Sequence, residues 1–167
     1  MFHVYCGDGK GKTTAAVGLA VRYFGAGGRV YFYQFMKDGT SSEIDILRNI
    51  GIYTSACKPC VKFTFRMNDE EKNAVRNYHN RMLAEISEIK EKSLIVFDEI
   101  ISAYNKNLLD RQLAERIILS HDDNIEKVIT GRSPAEIFLD NADYVSEIQE
   151  IKHPYKKGIS ARKGIEY

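Results

Sequence analysis

The chain of 167 residues is long enough to bury a core of its own, so its stability requires neither disulfides nor a structural metal. Lysine and arginine number 24 and aspartate and glutamate 23, a balance that argues against a general nucleic-acid-binding protein. No segment approaches the roughly 18 apolar residues of a membrane span, and the three cysteines are too few for a secreted disulfide framework. We therefore expect a cytoplasmic protein without nucleic-acid or membrane partners.

Short apolar segments alternate with longer amphipathic ones, which predicts strands and helices in turn. The predicted strands are 2–6, 30–35, 52–56, 94–97, 127–130 and 144–151. The predicted helices are 13–24, 42–49, 68–92 and 110–120, followed by one with Ser133 as its cap and Pro134 at its first position. We also expect residues 61–65 to be extended. His79 is expected to lie on the surface of its helix. This alternation predicts an α/β fold with a mostly parallel sheet and helices on both faces.

The strongest motif is a glycine-rich loop between the first predicted strand and the first predicted helix. Its residues are Gly7, Asp8, Gly9, Lys10, Gly11, Lys12, Thr13 and Thr14. Loops of this kind wrap phosphates with backbone N–H groups, and the helix N-terminus adds partial positive charge. Lys12 is expected to reach the terminal phosphates and the Thr13 hydroxyl to bind Mg²⁺. The loop is one residue shorter than the common pattern, and a glycine-rich turn without a ligand is the disfavoured alternative.

An acidic pair follows the apolar strand 94–97. Asp98 and Glu99 would lie at the carboxyl edge of the sheet, where open α/β sheets bind ligands. There they would hold Mg²⁺ opposite Thr13, directly or through water, whereas the alternative is a pair of surface carboxylates. Together the loop and the acids predict a single-domain, P-loop NTPase-like (RecA-like) protein over residues 1–167. They leave the reaction open, and Glu99 is also suited to polarise water in an ATPase.

The sequence resembles the CobA/BtuR-type ATP:cob(I)alamin (corrinoid) adenosyltransferases over nearly its whole length. The matching segments are the loop with Ala15-Ala16, Gln34-Phe35-Met36-Lys37, Asp98-Glu99, Thr130-Gly131-Arg132, and 152–155 and 164–167 of the tail. The resemblance implies that Co(I) of a reduced corrinoid attacks C5′ of ATP and expels triphosphate. It further implies that Lys10, Lys12 and the loop amides stabilise the triphosphate together with Mg²⁺. Glu99 would assist catalysis, and Arg132 would contact ATP.

The same resemblance assigns Phe63 and Phe65 to the corrinoid, whose lower axial ligand such aromatic residues displace. Phe65 stands where the compared family member has tryptophan, and the alternative is that both phenylalanines are core residues of a strand. Asp8 stands where relatives often have asparagine, which adds a negative charge near the phosphates. Some relatives have an N-terminal extension over the site, so closure of the corrinoid pocket is expected to differ here. A homodimer and an external electron donor are also implied.

Two further segments have open interpretations. Cys57-Lys58-Pro59-Cys60 resembles a redox pair, but it lacks the strand-then-helix context and the further ligands of a zinc site. Two ordinary thiols are therefore favoured, with a role in handling cobalt as the alternative. The tail over 152–167 has five basic residues and one acidic residue, which fits a solvated extension or a flap over an anionic ligand.

Two other functions stay open at this stage. An ordinary P-loop ATPase or small-molecule kinase would release ADP, whereas adenosyl transfer releases inorganic triphosphate. A non-catalytic corrinoid or nucleotide carrier would bind its ligand without turnover.

Overall fold

The protein is built around one six-stranded parallel sheet, seen in a computed structural model that describes residues 1–60, 62 and 64–165. The strands are β1 (Phe2–Cys6), β2 (Arg29–Gln34), β3 (Tyr53–Ala56), β4 (Ser93–Asp98), β5 (Ile125–Thr130) and β6 (Tyr144–Glu147). Their order is β3-β2-β4-β5-β1-β6, and all neighbouring pairs run parallel. This topology confirms the predicted α/β class and is consistent with the P-loop NTPase-like arrangement.

Helices cover both faces of the sheet, as parallel strands require. The helices are α1 (Lys12–Gly25), α2 (Ser42–Asn49), α3 (Asp69–Ser87), α4 (Ile100–Asn105), α5 (Arg111–Ile118) and α6 (Glu136–Asp140). One core cluster joins α1 and α2 to the sheet through Ala16, Ala20, Ile44 and Leu47. The opposite cluster receives buried side chains from α3 to α6. None of the helices in the described part of the chain has the length and apolar content to cross a membrane.

The longest helix, α3, begins as predicted but ends earlier. Asn68 Oδ1 accepts the Glu71 backbone N–H at 2.8 Å, and a Glu71 carboxylate oxygen accepts the Asn68 N–H at 3.0 Å. The helix ends at Ser87 because the next two N–H groups bond three residues back in a tight closing turn. Ile89 packs against the core from that turn, so the apolar periodicity continues beyond the helix.

The predicted start of the last helix is wrong. Ser133 has φ 50°, in the left-handed region, and α6 begins at Glu136 with Ala135 as its cap. The Asn105 amide donates to the carbonyls of Arg132 and Ser133 at 3.2 and 2.9 Å, which holds this segment as a turn. Strand β6 is also shorter than predicted, because the chain turns at Ile148 toward the glycine-rich loop.

Two other predictions for individual segments are wrong. Thr64–Arg66 forms a single 3-10 turn, so Phe65 is not extended; Val61 and Phe63 lie outside the described residues. His79 is fully buried on the inner face of α3, where its ring lies 5.2 Å from that of Phe35 between centroids. Helix α4 was not predicted, since its short apolar sequence follows β4 without a loop.

Candidate active site

The glycine-rich loop (residues 7–11) connects β1 to α1 and is folded around the side chain of Lys12. The Lys12 ammonium donates to the carbonyls of Gly7 and Gly9, both at 2.8 Å. Gly7 and Gly11 have φ values of 103° and 122°, which side-chain-bearing residues rarely adopt. Lys12, the first residue of α1, is therefore held against the loop by its ammonium group.

Close packing within the chain is a second reason for the glycines. The Gly9 N–H donates to the carbonyl of Ile148 at 2.7 Å, which ties the loop to the segment after β6. A Cβ atom on Gly7 or Gly9 would lie only 2.5 or 2.6 Å from that carbonyl oxygen. The sequence predicted glycines because phosphates must come close to the loop backbone. The structure shows that the Ile148 carbonyl of the same chain also requires this closeness.

Asp98, at the end of β4, is a completely buried carboxylate that contacts side chains from the start of α1 and from the carboxyl ends of its two neighbouring strands, β2 and β5. It accepts hydrogen bonds from the hydroxyls of Thr13 and Thr130 at 2.8 Å each. The Lys37 ammonium lies 2.8 Å from the second carboxylate oxygen and 3.2 Å from the Thr13 hydroxyl. The interpretation of Asp98 as a surface carboxylate is therefore wrong.

Lys37 and Gln34 were missed as members of this cluster. The Gln34 amide, fully buried at the end of β2, donates to Glu43 and Asp98 at 3.2 and 3.3 Å. Burial alone would lower the pKa of Lys37, but attraction and hydrogen bonding to Asp98 raise it above its ordinary value. The available signal was their position at or just after the carboxyl end of β2, since parallel strands end at one edge.

Glu99 is held in a strained position between β4 and α4. Its φ of 61° is left-handed, and its N–H donates to the Thr130 hydroxyl at 2.9 Å. Its carboxylate accepts the Ser102 hydroxyl at 2.5 Å. Burial lowers the pKa of Lys12, an effect that the nearby Glu99 charge opposes.

A cleft of about 1000 Å³ opens above these groups. Its lining includes the glycine-rich loop with Lys10 and Thr14, together with Lys37, Glu43, Glu99 and Arg132. Cys60, Lys62 and Arg66 also line it, as do the tail residues His153, Gly164 and Ile165. The tail therefore borders the cleft, although most of its described residues are exposed to solvent, and the flap stays a prediction. The volume suits a nucleotide-sized ligand.

Comparison with known proteins places this chain in a family. The model of the family "ATP:corrinoid adenosyltransferase BtuR/CobO/CobP" matches residues 1–167. The chain belongs to this family. The expected resemblance is thereby confirmed, as is the expectation of an enzyme of the transferase class.

Named relatives of this adenosyltransferase family align with nearly the whole chain. The corrinoid adenosyltransferase CobA of Salmonella typhimurium is 32% identical over 98% of this chain and 84% of its own length. The corrinoid adenosyltransferase of Escherichia coli K12 is 32% identical with the same coverages. That of Pseudomonas aeruginosa is 30% identical over 98% of this chain and 82% of its own length.

Among the remaining residues predicted for an adenosyltransferase site, Asp8 and Arg132 line the cleft. Arg132 is 3.5 Å from the Asp8 carboxylate, so Arg132 offsets the Asp8 charge. Both side chains are more than half exposed, which makes this ion pair weak. Phe65 is 79% exposed beside Arg66, whose guanidinium lies 5.5 Å from its ring centre. The interpretation of Phe65 as a core residue is therefore wrong.

Proposed function

We propose that this chain transfers the 5′-deoxyadenosyl group of ATP to Co(I) of a reduced corrinoid and releases triphosphate. The observation that carries the proposal is the glycine-rich loop with Lys12 and Thr13, opening on a cleft in a member of the adenosyltransferase family. The cobalt electron pair would form the Co–C5′ bond while the C5′–O bond breaks. The bonding electrons of the broken bond would leave with triphosphate.

Charge neutralisation of the triphosphate is the main task for the loop. The Lys12 ammonium now bonds to two loop carbonyls, and phosphate oxygens would compete for it as stronger, charged acceptors. Lys12 is only 7% exposed, so an ammonium–phosphate contact there would be screened less than one in water. Lys10, exposed on the same loop, and Arg132 would add positive charge at the rim.

Oxygens in and next to the cleft fit Mg²⁺: Thr13 and Glu99 line the cleft, and the buried Asp98 is hydrogen-bonded to Thr13. Among the described residues, no group of three or more His, Cys, Asp or Glu side chains could hold a metal by itself. Mg²⁺ characteristically combines one or two protein oxygens with phosphate oxygens and water. The hydroxyl of Thr13 and the carboxylates of Asp98 and Glu99 are such hard donors, and Lys37 already shows that the cluster attracts a cation. Bound Mg²⁺ would supply charge neutralisation on the departing triphosphate.

The corrinoid side of the cleft needs apolar contact but no general base. Co(I) carries its own electron pair, so no proton has to be removed from the nucleophile. Phe65 offers an exposed aromatic ring next to the cleft-lining Arg66, which supports its assignment to the corrinoid. Phe63, assigned with it, lies outside the described residues. Formation of Co(I) requires an external electron donor.

The proposal is tested by following the corrinoid spectrum and the phosphate product together. The purified protein is incubated with Mg·ATP, a corrinoid and a strong chemical reductant. We expect an alkylated corrinoid and an equal amount of inorganic triphosphate. Lys12→Ala should lose this turnover, whereas Lys92→Ala, which changes an exposed lysine outside the cleft, should retain it.

Other products would overturn the proposal. ADP without cobalt alkylation would identify an ATPase or kinase. Tight binding of ATP and corrinoid without turnover would identify a carrier. Full turnover by Lys12→Ala would contradict the role given to Lys12.

A further inference from the structure

Two cysteines lie at the ends of a tight turn that follows β3. The Cys57 N–H donates to the carbonyl of Gln34 at 3.1 Å, which fixes the start of the turn to β2. The Cys60 N–H donates to the carbonyl of Cys57 at 2.8 Å, which closes the turn. The first and fourth Cα atoms of such a turn are less than about 7 Å apart, within reach of disulfide geometry.

The two thiols differ in their access to solvent. Cys57 is fully buried, whereas Cys60 is 8% exposed and lines the cleft. The third cysteine, Cys6, ends β1, which is separated from β3 by three strands. Four strand spacings place Cys6 about 19 Å away from the pair across the sheet. Cys6 is therefore an internal reference thiol that cannot join this pair.

The local hydrogen bonding gives the two thiols different roles. A hydrogen bond with the Cys57 thiol lowers the pKa of Cys60, because hydrogen bonding to the thiolate stabilises it. The same hydrogen bond, together with burial, raises the pKa of Cys57. Cys60 is the attacking thiol because it lines the cleft and is partly accessible, and the fully buried Cys57 is the resolving thiol.

We propose that Cys57 and Cys60 form a thiol–disulfide exchange site for low-molecular-weight disulfides that enter the cleft. The Cys60 thiolate attacks one sulfur of the small disulfide, whose S–S bond breaks and releases a first thiol after protonation. Cys57 then loses its proton to solvent and attacks the Cys60 sulfur, which expels the second small thiol. The protein pair is oxidised by two electrons, and the small disulfide is reduced by two.

The exchange site is independent of the proposed adenosyl transfer. It depends on the turn, the shared hydrogen bonds and the access of Cys60, and it involves neither the glycine-rich loop nor Asp98. A metal-ligating role is disfavoured because, among the described residues, no third Cys, His or acidic side chain completes a metal-binding group with the pair.

The test uses the reduced full-length protein and oxidised glutathione as the probe. After timed incubation and alkylation of the remaining thiols, intact mass and peptide mapping locate each modified cysteine. We expect a Cys57–Cys60 disulfide with loss of two hydrogen atoms, while Cys6 is alkylated. Cys57→Ser should accumulate one glutathione on Cys60, and Cys60→Ser should react about tenfold more slowly than the wild type.

Cys6→Ser is the matched control and should be oxidised at the wild-type rate. The proposal is overturned if Cys6 is modified as fast as Cys60, or if the wild type forms no Cys57–Cys60 disulfide. It is also overturned if Cys57→Ser fails to trap the Cys60 adduct while retaining its thermal unfolding transition. Peptide mapping of the wild type decides the question even if a serine variant does not fold.

Discussion

Acid should destabilise the fold through His79, which is buried without charge. Its Nδ1 lies 2.7 Å from the carbonyl of Leu108, and its Nε2 faces the Met36 N–H at 3.3 Å. This pairing places a proton on Nδ1 and leaves Nε2 as the acceptor. Burial lowers the pKa of His79 from 6.5 to about 4. The unfolded chain therefore takes up a proton at a higher pH than the folded protein does.

The size of the effect follows from this difference in pKa. The stabilisation is fully present above pH 6.5 and is lost as the pH falls toward 4, because only the unfolded state is protonated in that window. One pKa unit corresponds to about 1.4 kcal/mol, so the whole shift is worth about 3 kcal/mol. Between pH 7 and pH 5 we expect the free energy of unfolding to fall by about 2 kcal/mol through His79 alone.

Urea unfolding at pH 7 and pH 5 measures this loss in the wild type and in His79→Gln. The variant cannot take up the proton, so its loss between the two pH values should be about 2 kcal/mol smaller. His121→Gln is the control, because His121 is 89% exposed and should leave the wild-type pH dependence unchanged. Equal pH dependence in the wild type and in His79→Gln would refute the reasoning.

Three further substitutions test the site and its support. Gly9→Ala places a Cβ 2.6 Å from the Ile148 carbonyl oxygen, so the loop must shift and ATP affinity, measured by calorimetry, should fall at least about tenfold. Lys37→Met leaves the buried Asp98 carboxylate without its cation. Breaking a fully buried ion pair lowers the free energy of unfolding by ~3–5 kcal/mol. Because Lys37 is 28% exposed, we expect a smaller loss of about 2 kcal/mol. Thermal unfolding should show that Mg²⁺ stabilises this variant more than the wild type. Lys127→Met removes an ammonium that caps the end of α5 and should cost about 1–3 kcal/mol in urea unfolding.

Each of these predictions has a control variant or an outcome that would contradict it. Gly18→Ala, in α1 with open space around its Cβ position, should keep ATP affinity and slightly stabilise the helix. Wild-type ATP affinity in Gly9→Ala would contradict the packing argument. Equal Mg²⁺ effects in Lys37→Met and the wild type would show that Lys37 does not occupy a cation site. Lys92→Met controls for the loss of a lysine, and Lys127→Met is predicted to be less stable than Lys92→Met.

Contiguous motifs were predictable, whereas contacts between distant segments were harder to infer. The glycine-rich loop is continuous in sequence, and Asp98 follows from the rule that parallel strands end at one edge. Lys37 comes from the end of another strand and resembles a surface lysine until the order β2-β4 is known. His79 did have a signal, since it follows Val75 by four residues and precedes Met82 by three on the buried face of α3.

Some errors arose where a tertiary contact overrides a local preference. Ser133 and Pro134 have the composition of a helix start, but hydrogen bonds from Asn105 hold that segment in another conformation. The requirement for glycine at position 9 was inferred, but its contact with Ile148 could not be, because 139 residues separate the two positions.

That contact also bears on when during synthesis the protein becomes able to bind a nucleotide. A ribosome-bound chain that has reached residue 140 already contains the glycine-rich loop, but it lacks β6 and the carbonyl that anchors Gly9. The loop therefore acquires this support only after Ile148 has been synthesised. A nucleotide that needs the supported loop would select the finished fold over partly folded chains and shift the folding equilibrium toward it.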